Sequence, residues 1–303
     1  MSQPFSPLNR RHFLRRAGLA TGSIAALASS AGLVSAVQPA QAQLVPLDVD
    51  LLNFALNLEY LEAEFYVRGL TGQGLEAQGI DVTGQGTLGS VIVKANSRVQ
   101  FRVPWVREFL AEITADEVQH VRFIRETIKS LGGTPIARPE LDLLNSFNAI
   151  AQLAGIGSSF DPFENEVNFI LAAENFETVG VTAYRGAAPL LTNKTVISGS
   201  AGILAVEAYH SAILRLLEVE FGFYPQKVTE ISDRLAALRT ALTADPAVVD
   251  QGVLVNDQPN LVPTNANALA FARTPRQVLN IDYGAINASK GGFFPKGVNG
   301  IVP

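Results

Sequence analysis

The chain has 303 residues, is 48% hydrophobic, carries a formal net charge of −5 at pH 7 and contains no cysteine. This composition supports a sizeable core and excludes a disordered chain. The lack of cysteine excludes disulfides and cysteine-ligated metal sites. An acidic chain with no basic run after residue 42 is also a poor nucleic-acid binder. Any transition metal must be held by carboxylates and imidazoles, which suit iron, manganese or zinc.

The first 42 residues have the features of an export signal. Arginines stand at 10, 11, 15 and 16, a small-residue apolar run covers 17–37, and Ala40-Gln41-Ala42 fits a cleavage site. An arginine pair followed by Phe-Leu resembles the twin-arginine signal. We therefore expect a periplasmic or extracellular protein. An uncleaved anchor is the alternative, because residues 17–37 are just long enough to span a membrane; we favour cleavage, which leaves no stable anchor.

Apolar residues at helical spacing predict an all-α fold for residues 43–245. Pro104 suits the first turn of one helix, and Asp161 before Pro162 suits the N-cap of another. The predicted core helices cover about 48–69, 104–131, 162–185 and 198–221, and an extra helix covers 226–242.

The segments outside these helices are rich in loop-forming residues. Residues 71–89 are glycine-rich and long for a connection inside a domain, so we expect a functional or mobile loop. Residues 91–93 and 99–103 suggest a short hairpin. Residues 246–303 read as a loop-rich extension, with one short helix near 274–282. We expect it to wrap the bundle, because aromatic residues such as Phe293 and Phe294 would be costly to expose.

Two Glu-x-x-His pairs stand out, because His120 and His210 each follow a glutamate, Glu117 and Glu207, by three residues. Positions i and i+3 lie on one helix face, and both pairs fall on the apolar stripes of their helices. A carboxylate directed at a core is costly unless it is paired or binds a metal. Two such pairs can therefore hold two metal ions if other helices supply carboxylates.

The first and third predicted core helices carry glutamates on their apolar stripes. Glu59 and Glu174 lie on these stripes, and Glu62 and Glu177 follow one turn later. Ion pairs inside the bundle are the alternative, but the stripes show no obvious lysine or arginine to neutralise the glutamates. Glu64 is expected to be solvated.

One glutamate from each of two helices plus Glu-x-x-His from two others resembles the ferritin-like di-iron carboxylate bundles. The resemblance covers about residues 48–221. Leu52-Asn53 with Glu59 and Tyr66 is similar to the first-helix motif of bacterioferritin-type proteins, and residues 116–120 are similar to their second-helix motif. The signal, residues 51–66, 117–133 and 291–295 resemble exported ferritin-like proteins related to plant desiccation-related proteins. The implied fold is a ferritin-like four-helix bundle with a Gly-rich insertion between its first two helices.

The resemblance also implies a ligand set for two iron ions, for iron with manganese or for two manganese ions, with zinc possible. The implied ligands are Glu59, Glu117, His120, Glu174, Glu207 and His210. Glu117 and Glu174 would bridge the ions and the other four would be terminal, although the order of bridges is open. Glu177 and Glu62 are further candidates, with a structural carboxylate as the alternative. Tyr66 can bond a ligand carboxylate or donate an electron, or it is an ordinary core residue.

Three functions remain in competition. The first is an exported oxidoreductase, a ferroxidase or peroxide scavenger, that takes oxygen or peroxide and Fe²⁺. The second is a non-enzymatic desiccation or stress protein whose metal is structural. The third is a binding protein with a vestigial site, which the intact set of ligand types argues against. A homo-oligomer is possible, but the insertion of about thirty residues and the extension argue against a storage cage.

Overall fold

The computed structural model describes residues 41–222 and 227–303, so the predicted signal up to residue 40 lies outside the described residues. The described chain is mostly helical and confirms the all-α prediction. Its α-helices are α1 (Gln41–Thr71), α2 (Pro104–Ser130), α3 (Asn145–Leu153), α4 (Glu166–Ala187), α5 (Lys194–Gly222), α6 (Val228–Thr243) and α7 (Pro275–Tyr283).

Four long helices, α1, α2, α4 and α5, form the bundle as two antiparallel pairs. In the first pair, Gly69 near the end of α1 accepts a backbone bond from Val99 just before α2, while Asn53 near the start of α1 accepts from Ile136 beyond α2. In the second pair, Glu174 and Glu177 of α4 contact Arg215 and His210 of α5 in reverse order. The inner faces of all four helices therefore meet along one axis.

Helix α4 begins later than predicted. Its N-cap is Asn165, whose side chain accepts from the backbone N–H groups of Val167 and Asn168. Asp161 instead supports a turn by accepting from Phe163 and pairs with Lys94 at 2.5 Å. Both residues are suitable capping types, and the tertiary pairing of Asp161 decides between them.

The Gly-rich insertion runs beside the segment that joins α2 to α3 and is hydrogen-bonded to it. Strand β1 (Val91–Ile92) pairs in parallel with β2 (Leu141–Asp142), so the predicted hairpin with residues 99–103 is wrong. A Cβ at Gly84 or Gly89 would collide with the backbone of residues 135–140. Glycine is therefore required where the two segments touch.

The C-terminal extension contributes to the core. Phe293 and Phe294 are fully buried, and the Phe293 ring lies 4.9 Å from the Phe176 ring and 5.0 Å from the Phe147 ring. Asn299 and Asn57 exchange two hydrogen bonds. The extension also holds a small antiparallel pair, β3 (Leu254–Val255) and β4 (Gln258–Pro259).

Among the described helices, α5 alone is long and apolar enough to cross a membrane by length and composition. The core helices of helical bundles can share this length and composition. Helix α5 buries Glu207, His210 and Arg215, so here the composition belongs to a bundle helix.

Candidate metal centre

A first group of potential metal ligands comes from three helices. Glu59 of α1, Glu117 and His120 of α2 and Glu207 of α5 are all buried, and one ligand atom from each lies within 4.8 Å of the others. His120 Nδ1 is 3.4 Å from oxygens of Glu59 and Glu117 and 3.5 Å from Glu207 Oε1. One imidazole nitrogen thus faces three carboxylates.

A second group shares Glu117 with the first and adds Glu177 of α4 and His210 of α5. His210 Nδ1 lies 3.2 Å from Glu117 Oε1 and 3.2 Å from Glu177 Oε2. The His120 and His210 rings have centroids 6.3 Å apart. Glu117 is therefore placed between two imidazoles, as a ligand shared by two ions would be.

Many of these buried atoms have no hydrogen-bond partner among the described residues. Glu59 Oε2, His120 Nδ1 and both carboxylate oxygens of Glu117 and Glu207 are unpartnered. Such atoms cost roughly 1–3 kcal/mol each, and more when charged. A divalent cation would satisfy all of them with the oxygen and nitrogen donors that iron and manganese accept. The residues present therefore fit a metal centre.

Without metal, the histidines and some of the carboxyl groups of this site bind protons. Burial opposes ionisation of Glu117, but His120 and His210 outweigh it and lower the pKa of Glu117 to about 2. Burial also disfavours both imidazolium ions, yet Glu59 and Glu117 raise the pKa of His120 to about 11, and Glu177 and Glu117 do the same for His210. Burial and neighbouring carboxylates raise the pKa of Glu207 well above its usual value.

Three further side chains orient the ligands. Asp116 Oδ2 is 3.2 Å from His210 Nε2, so the imidazole can direct Nδ1 inward, and metal-bound histidines commonly have a carboxylate on the outer nitrogen. Tyr66 donates to Glu177 at 2.6 Å, and Tyr184 donates to Glu59. Burial raises the pKa of both phenols well above the usual value, which keeps them as donors.

Glu174 does not join either ligand group, contrary to the bridging role predicted for it. It accepts from Arg215 at 2.9 Å and from Arg239 at 3.3 Å, and both arginines are buried. Burial opposes ionisation, but the two guanidinium groups lower the pKa of Glu174. Glu177, one turn later, provides the α4 carboxylate instead.

Glu62 lies beside the centre and not within the two groups. A Cβ at Gly180 would collide with Glu207 Oε2 and come within 3.3 Å of Glu62 Oε1. The Glu62 and Glu207 carboxylates therefore lie close to one another, on the side of the glycine where a Cβ would stand. Glu64, expected to be solvated, is buried between Arg68 and Arg138.

Comparison with known proteins agrees with this geometry. The ferritin-like domain family matches residues 47–220, which contain every candidate ligand. The chain belongs to the ferritin-like family. It is 33% identical over 274 residues to the desiccation-related protein PCC13-62 of Craterostigma plantagineum, and the alignment covers 84% of each chain. It is 30% identical over 271 residues to the ferritin-like catalase Nec2 of Nesocodon mauritianus, again over 84% of each.

In this ferritin-like chain, the orienting residues carried weaker sequence signals than the ligands. Asp116 directly precedes Glu117 and is half-exposed, so its position resembles that of a surface acid. Tyr184 lies on the apolar stripe of α4 and looks like core. Its distance of seven residues from Glu177, close to two helical turns, could have indicated that it shares the inner face.

Proposed function

We propose that this protein binds two redox-active metal ions, iron or manganese, at the centre described above and uses them to react with peroxide or oxygen. The observation that carries the proposal is the pair of ligand groups sharing Glu117, with unpartnered atoms on Glu59, Glu117, His120 and Glu207. Glu59 and His120 would hold one ion and Glu177 and His210 the other. Glu117 lies where it can serve both, and Glu207 belongs to the first group.

Bound iron or manganese pairs would supply the electron transfer. The chain's own residues supply the surroundings. His120 and His210 would hold the ions, Asp116 would orient His210, and Tyr66 and Tyr184 hold two of the carboxylates by hydrogen bonds. The bundle excludes bulk water, since the ligands are nearly fully buried.

Peroxide is the oxidant we favour. The relative Nec2 is named a catalase, and two hydrogen peroxide molecules give two waters and one dioxygen with no further reductant. Ferroxidase activity, with Fe²⁺ as the electron source, uses the same centre.

The test combines metal content with turnover. Protein purified without chelators should contain about two iron or manganese ions per chain, and His120→Ala/His210→Ala should contain almost none while keeping its helical circular dichroism. Wild type should release oxygen from peroxide and the double variant should not. Zinc in the wild type, or no turnover after loading with iron or manganese, contradicts the proposal.

A non-enzymatic stress role is the second candidate, and the similarity to a desiccation-related protein favours it. In that case the metal is structural. Wild type would then protect a labile enzyme during drying with no peroxide turnover, and the metal-free double variant would lose protection only as far as it loses its fold.

We also propose export by the twin-arginine route and removal of residues 1–42, on the basis of the paired arginines. Such a route would suit a protein loaded with metal before export. A homo-oligomer is compatible with this proposal, and a hollow cage is not expected. Replacing Arg10 and Arg11 with lysine should retain the protein in the cytoplasm, as checked by fractionation.

A further inference from the structure

A small cavity lies beside the metal centre, between α1 and α4 of the bundle and α7 of the extension. It has room for about one water molecule or one cation. Its lining is Leu58, Leu61, Glu62, Phe176, Val179, Gly180 and Asp282. Glu62 and Asp282 are the two ionisable side chains of this lining.

The Asp282 carboxylate lines this cavity without a partner for one of its oxygens. Its side chain is buried, with 4% exposure, and Oδ2 makes no hydrogen bond to the described residues. The neighbouring cation, Arg273, is bonded elsewhere, to Thr182, Thr243 and Asp250. A buried carboxylate in this position is costly unless something else neutralises it.

Glu62 connects the cavity to the metal centre. It is 5% exposed, and a Cβ at Gly180 would meet Glu207 Oε2 and come within 3.3 Å of Glu62 Oε1. Any larger side chain at 180 would separate the two carboxylates. Glu62 therefore lines the cavity together with Asp282 and also lies close to Glu207 of the metal centre.

We propose that Glu62 and Asp282 bind a third divalent cation, of the Mn²⁺ or Fe²⁺ class, in transit to the dinuclear centre. Carboxylate oxygens suit hard divalent cations. Without an imidazole, this site is weaker than the two histidine-containing sites, as a transit site requires. The inference deepens the proposed function and rests on it. Asp282 lies on α7 of the extension, outside the four-helix bundle that supplies the other proposed ligands.

Mn²⁺ binding to metal-free protein tests this site. Equilibrium titration should show two tight ions and one weaker ion in the wild type. Asp282→Asn should keep the tight pair, lose the weaker ion and load the pair more slowly, by about tenfold, because a carboxylate in the path raises the local cation concentration. The control is Glu218→Gln, which removes a buried carboxylate with unpartnered oxygens elsewhere on α5 and should match the wild type.

The outcomes separate the two proposals. The transit site is overturned if the wild type binds no ion beyond the pair, if Asp282→Asn retains that ion, or if Asp282→Asn loads at the wild-type rate. His120→Ala/His210→Ala should lose the tight pair and keep the weaker ion. If the wild type binds no tight pair of ions, the dinuclear centre is overturned. The transit site is then judged by the weaker ion alone, which must bind to the wild type and be lost in Asp282→Asn. Circular dichroism of each variant shows that it is folded.

Discussion

At the scale of single residues, Glu174 and Glu177 show how one helical turn separates two kinds of buried carboxylate. Both are fully buried on α4. Glu174 meets two arginines, whereas Glu177 meets an imidazole and a phenol. The first forms a buried ion pair, which is costly to break. The second is in the position to bind metal.

We expect Glu177→Gln to change mainly the metal content and Glu174→Gln to change mainly the stability. Glu177→Gln should reduce the metal content from about two ions to about one with little loss of stability, since it removes a buried carboxylate. Glu174→Gln should retain both ions but lower the free energy of unfolding by roughly 3–5 kcal/mol, because Arg215 and Arg239 stay buried without a counter-charge. Elemental analysis and urea unfolding measure the two effects. Loss of metal in Glu174→Gln alone would contradict the assignment.

Asp282 should make stability depend on pH. Burial raises its pKa from 3.8 to about 7, so the folded state holds this proton more tightly than the unfolded chain. The stability that comes from this tighter proton binding is therefore fully present below about pH 4 and is lost as the pH rises to about 7. In chelator-treated protein, the stability gained by Asp282→Asn should be larger near pH 8.5 than near pH 5, by on the order of 3 kcal/mol.

Urea unfolding at the two pH values measures this difference. Glu108→Gln, which removes an exposed carboxylate of α2, is the control and should change stability by less than about 0.5 kcal/mol at both. Equal effects of Asp282→Asn at the two pH values would contradict the burial argument.

At the scale of elements, the C-terminal extension is part of the core. Its Phe293 and Phe294 join the aromatic cluster that contains Phe147 and Phe176. The Arg215 side chain of α5 also donates to the backbone oxygens of Gln251, Gly252 and Asn260. The extension and the bundle should therefore unfold together.

Phe293→Ala should lower the free energy of unfolding by about 3–5 kcal/mol, as expected for a large aromatic side chain removed from a core. The matched control is Leu269→Ala in the same extension, because Leu269 is half-exposed and should cost little. A single unfolding transition is expected in both variants. A separate early transition for the extension would show that it is not part of the cooperative unit.

At the scale of the whole molecule, the centre joins three of the four long helices through Glu59, Glu117, His120 and Glu207, and Glu177 adds α4. Metal bound there would connect all four helices. The same side chains hold protons in the protein alone, so metal and protons compete.

Metal affinity should therefore increase with pH. Both imidazoles have a pKa of about 11 in the protein alone, so they are protonated near neutrality and must lose their protons to bind metal. Raising the pH from about 6 to about 8 should strengthen Mn²⁺ binding and loading should release protons. Calorimetry in buffers of different ionisation enthalpy counts the protons. Binding that weakens with rising pH would contradict this protonation scheme.

Much of this architecture could be read from local patterns. The four long helices lie within a few residues of their predicted positions, apart from a longer α1, and Glu59, Glu117, His120, Glu207 and His210 all lie in the predicted site. Helical spacing is a local property, so residues three apart can be assigned to one face without knowledge of the fold. The short helix predicted near 274–282 is α7 (Pro275–Tyr283), in which Thr274 is the N-cap and forms a capping box with Gln277.

The choice between Glu174 and Glu177 depended on tertiary structure. Both carboxylates fit the inner stripe of α4, and their partners Arg215, Arg239 and His210 lie more than thirty residues away. The cavity between Glu62 and Asp282 likewise depends on α7 folding back onto the bundle. By itself, the sequence determined which helices form and which faces carry ligand types, because these follow from local periodicity. Which carboxylates meet an arginine, a histidine or an open cavity was decided only by the packing of distant segments.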